Sequence, residues 1–200
     1  FGPYLQYELL EDEIVKTRES LDWKYAKFEL TDEIYNFWDA KETGASLNSD
    51  WDNLIKSYQE KYPEKSKELL RRIKGSTPEN FESDFDQFLK DCDMNNLSMA
   101  TRKASKVCLD FFVKKMPELI GGSADLTPSN NTFSESSSTF SNENPSGNHI
   151  NYGVREFGMS AIMNGMVLHG GIKPYGATFL VFTDYARNAV RLSALMGLPN

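Results

Sequence analysis

The 200-residue chain holds only two cysteines, Cys92 and Cys108, and only two histidines, His149 and His169. Neither pair has the spacing or the companion ligands of a zinc site, and two isolated thiols form no disulfide framework. Ordinary thiols of this kind suit a reducing compartment. No apolar run reaches the length of a membrane span. The opening Phe-Gly-Pro-Tyr-Leu-Gln lacks the charged and apolar stretches of a secretion signal, so the chain reads as cytoplasmic. Basic residues are in the minority, 22 Lys and Arg against 29 Asp and Glu for a net charge of -7. That balance gives no broad attraction for nucleic acid or an anionic membrane, and small anionic substrates need local basic groups. The missing initiator Met, and an end at Leu-Pro-Asn directly behind a helical pattern, suggest an internal piece of a longer protein.

An apolar content of 40% with 12% aromatics supports a real core, in one large domain or in pieces of two. The first third is helical, acidic and interrupted. Residues 12–21 form a short amphipathic helix, and Trp23-Lys-Tyr-Ala-Lys-Phe alternates as an extended connector. Thr31 caps a helix expected to bury Ile34, Phe37 and Trp38. Ser49 to Tyr62 repeats that pattern with Trp51, Leu54, Ile55 and Tyr58, and Pro63 closes or kinks it. A further helix over 64–74 stops at Gly75. Polar turns at 76–80 and 92–98 flank a short helix at 81–89, which places a domain boundary between residues 1–90 and 91–200.

The second part alternates. A helix from Thr101 ends at Pro117, and Leu119-Ile-Gly-Gly-Ser-Ala-Asp-Leu reads as a buried strand running into a glycine-rich turn. A second helix starts at Glu156 and stops at His169-Gly-Gly, a strand covers 172–177, and a helix runs over 182–196. This is the α/β signature, in which ligands gather at strand carboxyl ends, where Asp125 and Ser129 leave β structure. Residues 127–148 are rich in Ser and Asn and could pass for a linker, yet Phe133 and Phe140 interrupt them and favour a functional loop. Phe179, Phe182 and Tyr185 recur at spacing three, which stacks their rings on one side of a helical turn. A carboxyl such as Glu156 held near rings is poorly hydrated, which favours its neutral, proton-donating form. Taken alone, the same residues also read as core aromatics and a helix-start acid.

Gly-Gly-Ser-Ala-Asp-Leu at 121–126, Pro-Ser-Asn at 128–130, Tyr-Gly-Val-Arg-Glu-Phe-Gly-Met at 152–159, Leu-His-Gly-Gly at 168–171 and Thr-Phe-Leu-Val-Phe-Thr-Asp-Tyr-Ala-Arg-Asn at 178–188 together resemble transketolase, in order and in spacing. The likeness extends upstream through Trp23-Lys-Tyr-Ala-Lys-Phe, Trp38-Asp-Ala-Lys-Glu and Arg102-Lys-Ala-Ser. The resemblance implies an α/β fold: a helical connecting region at the end of the pyrophosphate-binding domain, then the first part of a parallel-sheet pyrimidine-binding domain. It implies a thiamine diphosphate enzyme moving a two-carbon ketol unit from a ketose phosphate to an aldose phosphate in the pentose phosphate pathway. Glu156 matches the acid that hydrogen-bonds the cofactor's pyrimidine. Phe182 matches the ring stacked on it, with Phe179 and Tyr185 as walls and Asp125 beside the site. Arg102 and Ser129 match the substrate-phosphate contacts, where a guanidinium and a hydroxyl supply donors.

Two family features are missing. The His-Gly-x-Pro-Leu segment is represented by Phe-Gly-Pro-Tyr-Leu-Gln-Tyr, and the Gly-Asp-Gly motif that holds magnesium and the diphosphate is not in the chain. The window therefore carries half a site. Resemblance places the cofactor between two subunits of a homodimer, with Mg2+ held by ligands outside the window. By itself the fragment is expected to be inactive. The related alternatives are dihydroxyacetone synthase, 1-deoxyxylulose-5-phosphate synthase, or a non-catalytic module of the same fold; the Arg102 and Pro128-Ser129 matches favour transketolase over the two enzymes.

Overall fold

The computed structural model describes residues 10–95 and 98–199. The features read from the first eight residues lie outside the described residues. Two compact units divide between Ser57 and Tyr58.

The first unit holds α1 (Glu11–Ser20), α2 (Asp32–Trp38) and most of α3 (Lys41–Lys61). Thr31 caps α2 as expected, its side chain accepting from the Ile34 amide at 3.4 Å. The expected burial of Phe37 and Trp38 is not found. They are 81% and 77% exposed, with their rings edge to face at 5.6 Å. Ile34, Phe37 and Trp38 do share one helical face, at spacings of three and four, but the described residues leave its two rings uncovered. Residues 23–28 form neither helix nor strand: Tyr25 is at a bend, Lys27 and Phe28 are at a turn, and Phe28 takes a left-handed φ of 61. The helix expected from Ser49 instead begins at Lys41 and runs through Gly44. Its 21 residues absorb the cost of one glycine, roughly 1 kcal/mol.

In the second unit Pro63 opens α4 (Pro63–Ile73), because a missing amide is harmless in a first helical turn. α5 (Phe81–Met94) outruns its expected end and packs on α6 (Thr101–Lys115) through Phe81, Phe85, Phe88, Phe111 and Phe112. The Phe88 and Phe111 rings are 4.5 Å apart, and Lys115 pairs with Asp84 at 2.6 Å. β1 (Leu119–Ser123) is the centre of a three-stranded parallel sheet, between β2 (His149–Asn151) and β3 (Lys173–Ala177). Gly121 and Gly122 let these neighbours approach: a Cβ at the first would run into Tyr175, and at the second into the Ile150 carbonyl. α8 (Glu156–His169) lies on the sheet with Met159 and Met163 over Gly176. Ala124, Tyr152 and Met159 make the core, backed by Ile150 and Met163. α9 (Thr183–Met196) packs along α8, where Asn164 donates to the Ala189 carbonyl at 3.0 Å.

Between β1 and β2 the polar stretch is a hydrogen-bonded loop that starts with a single turn, α7 (Thr127–Asn130). Asn144 donates to the Thr139 carbonyl at 2.9 Å, the Ser138 amide donates to Asn148 at 3.0 Å, and Ser134 is fully buried. The α/β architecture agrees with the class read from the sequence.

Candidate functional site

β1 and β2 end side by side. Ser123, 1% exposed, donates to the Ala177 carbonyl at 3.1 Å and accepts from the Leu126 amide at 3.1 Å, which turns the chain sharply after the strand. Asp125 then takes a left-handed φ of 59, a conformation that costs an ordinary residue of order 1–3 kcal/mol and collects at functional sites. The turn delivers Asp125, Thr127 and Pro128 to one wall of a cleft of about 300 Å³. Asn151, Gly153 and Arg155, leaving β2, form the other wall.

Thr127 is tied to the sheet by its hydroxyl, 3.3 Å from the buried His149 Nε2. Burial pushes the His149 imidazole below its ordinary value, against a smaller opposite effect of the Thr132 backbone, so the ring packs neutral beside Phe133. Burial also pushes the Tyr152 and Tyr175 hydroxyls up to about 12, with the nearby Tyr152 adding to the Tyr175 shift. Tyr175 donates to the Thr132 carbonyl at 3.2 Å and holds the loop down. These are supports, not reacting groups.

Glu156 is the first residue of α8 and is 7% exposed. A glutamate this hidden at a helix start is unusual, since most glutamates stay in water. Among the described residues none donates a hydrogen bond to its carboxyl. Phe179, Phe182 and Tyr185 stand in one column, as their spacing implied. The Phe179 and Phe182 centroids are 6.0 Å apart at 32°, and Phe182 and Tyr185 are 5.9 Å apart at 31°. Phe182 closes a 3-10 turn over Leu180–Phe182, and Tyr185 is on the first turn of α9. The column presents its flanks outward, with Phe179 42% and Tyr185 67% exposed.

Ser129 follows Pro128 on α7 and faces solvent, just after the bend that holds Asp125. Arg102 is exposed in the first turn of α6, and no described hydrogen bond joins it to Ser129. Cys92 and Cys108 are free, and no group of three His, Cys, Asp or Glu among the described residues could hold a metal ion. No helix among them is long and apolar enough to cross a membrane. Sequence reasoning passed over Asn151 and Arg155. Arg155 sits inside the quoted 152–159 motif, whereas Asn151 had no local signal, because it enters the cleft only through pairing of β2 with β1.

Comparison with known proteins bears on this arrangement. The family described as transketolase, pyrimidine binding domain, matches residues 98–200, and transketolase, thiamine diphosphate binding domain, matches residues 7–78. Transketolase 1 of Vibrio cholerae is 48% identical over 189 residues, which is 94% of this chain and 28% of that protein. Transketolase 1 of Escherichia coli K12 is 50% identical over 184 residues, 92% of this chain and 28% of that protein. Among solved structures, a Pichia stipitis transketolase in complex with sedoheptulose-7-phosphate superposes with a TM-score of 0.81 at 36% identity, covering 96% of this chain and 29% of its own. A Leishmania mexicana transketolase superposes with a TM-score of 0.77 at 32% identity, covering 92% and 27%. The chain thus spans under a third of the length of the proteins it matches.

Proposed function

The chain belongs to the transketolase family, and on that footing we propose that it supplies the pyrimidine side of a thiamine diphosphate site in a longer protein that transfers two-carbon ketol units between sugar phosphates. Two observations support the reading: the largely buried Glu156 at the start of α8, and the ring column of Phe179, Phe182 and Tyr185 at the start of α9, on helices that pack together. Rings about 6 Å apart offer the flat faces against which an aromatic heterocycle stacks, and a carboxyl at the start of α8 suits a ring nitrogen. The residues present fit an aminopyrimidine.

When bound, thiamine diphosphate supplies a nucleophilic carbon that no amino-acid side chain provides. Glu156 holds a proton at the pyrimidine nitrogen, Phe182 stacks on the ring, Phe179 and Tyr185 wall the pocket, and Asp125 borders the cofactor. Arg102 and Ser129 take the substrate phosphate, for which the two exposed donors suit a charged group that arrives from solvent. Mg2+ takes its ligands from outside this chain. Residues 1–90 close the diphosphate-binding domain and 91–200 open the pyrimidine-binding domain.

The assembly we propose is a homodimer with the cofactor between subunits. Supporting it, Leu180, Val181 and Tyr185 are 86%, 66% and 67% exposed in and beside the ring column, an apolar surface that calls for a cover. The pathway is the pentose phosphate pathway and the compartment the cytoplasm, the latter in keeping with two free cysteines. The test is a ketol-transfer assay of the full-length protein with a ketose phosphate and an aldose phosphate. Turnover that requires added thiamine diphosphate supports the function, and its lack under saturating cofactor and Mg2+ refutes it.

A further inference from the structure

Arg155 stands in the strand-end cleft with no role assigned by the family match residues. Its Nη1 donates to the Tyr152 carbonyl at 3.0 Å, which fixes the direction of the guanidinium. Gly153 has φ +69, and a Cβ there would collide with that same Nη1. The glycine's left-handed backbone and its missing Cβ leave room for the guanidinium to lie against the chain at 153.

The charge is also unspent. Among the described residues no carboxylate pairs with Arg155, although Asp125 lines the same cleft. The Tyr152 carbonyl uses one of its five N–H donors, and no described residue accepts from Nε or Nη2. Those two nitrogens lie on one edge of a planar fork, the geometry that meets two oxygens of a phosphoryl group at once. Thr127 and Asn151 add polar atoms to the walls.

We propose that Arg155 binds a phosphoryl group of the ligand seated in this cleft. The proposal rests on the function above, which brings two phosphorylated molecules to the site, the cofactor and the sugar phosphate; the chemistry of the fork is the same for both. Arg155 is thereby a binding residue separate from Arg102, which sits on another element.

The experiment compares wild type, Arg155→Ala and Arg155→Lys in the full-length protein. Three ligands are titrated: thiamine diphosphate, a ketose phosphate donor, and an unphosphorylated ketol donor, the donors at saturating cofactor. Arg155→Ala raises the half-saturation constant of a phosphorylated ligand about ten- to a hundredfold and leaves the unphosphorylated donor within about twofold. Arg155→Lys recovers part of the loss, because it keeps the charge without the fork. A rise for thiamine diphosphate assigns the diphosphate, and a rise for the ketose phosphate assigns the substrate. Unchanged constants, or equal rises for all three ligands, overturn the proposal. Should wild type transfer no ketol unit, it is the proposed function that fails; calorimetric binding of inorganic pyrophosphate to wild type and to Arg155→Ala then decides the role of Arg155 alone, equal affinities overturning it.

Discussion

Arg71 on α4 grips Glu118, the residue before β1, through two parallel bonds of 2.8 Å, Nη1 to Oε1 and Nη2 to Oε2. Glu118 is 2% exposed, so this is a buried bidentate pair. Arg71 also holds Glu68 and the Ser76 carbonyl, and Arg72 joins the group through Glu68 at 2.7 Å. The network fixes α4 and the turn after it to the start of the central strand.

Removing Arg71 strands the Glu118 charge. Arg71→Ala in the full-length protein should destabilise by about 3–5 kcal/mol, the usual cost of leaving one member of a buried pair alone. Burial alone would raise the Glu118 carboxyl, but the Arg71 guanidinium outweighs it and holds the group below the ordinary carboxylate value. A depressed carboxyl contributes stability that is complete above the unfolded value, near 4.3, and fades as pH falls through the folded value. Thermal midpoints should therefore drop below about pH 4 in wild type, and this acid-side slope should be shallower in Glu118→Gln. A slope unchanged by that substitution would show that Glu118 does not titrate with folding.

Gly122→Ala tests the close approach of β1 and β2. The added Cβ meets the Ile150 carbonyl, which is backbone in a paired strand and cannot rotate aside. Overpacking of this kind costs roughly 1–3 kcal/mol, and here it also spreads the two strand ends that line the cleft. Chemical denaturation of Gly122→Ala against Gly165→Ala, where a Cβ meets nothing within 4 Å, gives the contrast. Equal stability would mean that the strands separate at no cost.

Asp110 carries the long loop. Its Oδ1 accepts from the Glu135 amide at 3.1 Å and its two oxygens accept from Lys106 at 2.9 and 2.8 Å. Burial opposes the charged form, yet Lys106, the Glu135 amide and Ser134 hold the carboxyl below its ordinary value. Asp110→Ala should remove a charge-assisted anchor of about 1.5–3 kcal/mol and speed amide exchange at residues 134–138 by about ten- to a hundredfold, with slower change in α6 itself. Exchange followed by mass spectrometry reads this directly; uniform protection would place the anchor elsewhere.

What the sequence disclosed follows the range of the interactions involved. α6 and α8 were legible because their ends are local: Thr101 and Pro117 bracket one, Glu156 and Gly170-Gly171 the other. The ring column was legible because spacing on a turn is local too. β2 was not, since three residues carry no periodicity and the strand exists only by pairing with Gly121–Ser123. Arg155 and Asn151 share that difficulty, because the cleft is a product of strand pairing. The burial expected of Phe37 and Trp38 failed for a different reason: apolar character signals a need for cover, and the described residues do not supply it.

Glu156 separates a catalytic centre from a helix start. As a first-turn acid it would favour the helix dipole by about 0.3 to 1 kcal/mol and do nothing else. The residue as a whole is 7% exposed, more hidden than service to the dipole requires, because an acid serves a helix start equally well in open solvent. Glu156→Gln keeps shape and hydrogen-bonding reach but holds no exchangeable acid proton. In the full-length protein it should lower kcat by about two to four orders of magnitude, the span of a positioned acid or base. The fold should persist, because Gln keeps the shape of the side chain. Exchange of the cofactor's reactive-carbon proton with deuterium, followed by NMR, isolates the step from substrate binding and product release. A wild-type exchange rate in Glu156→Gln would leave only the helix-start role.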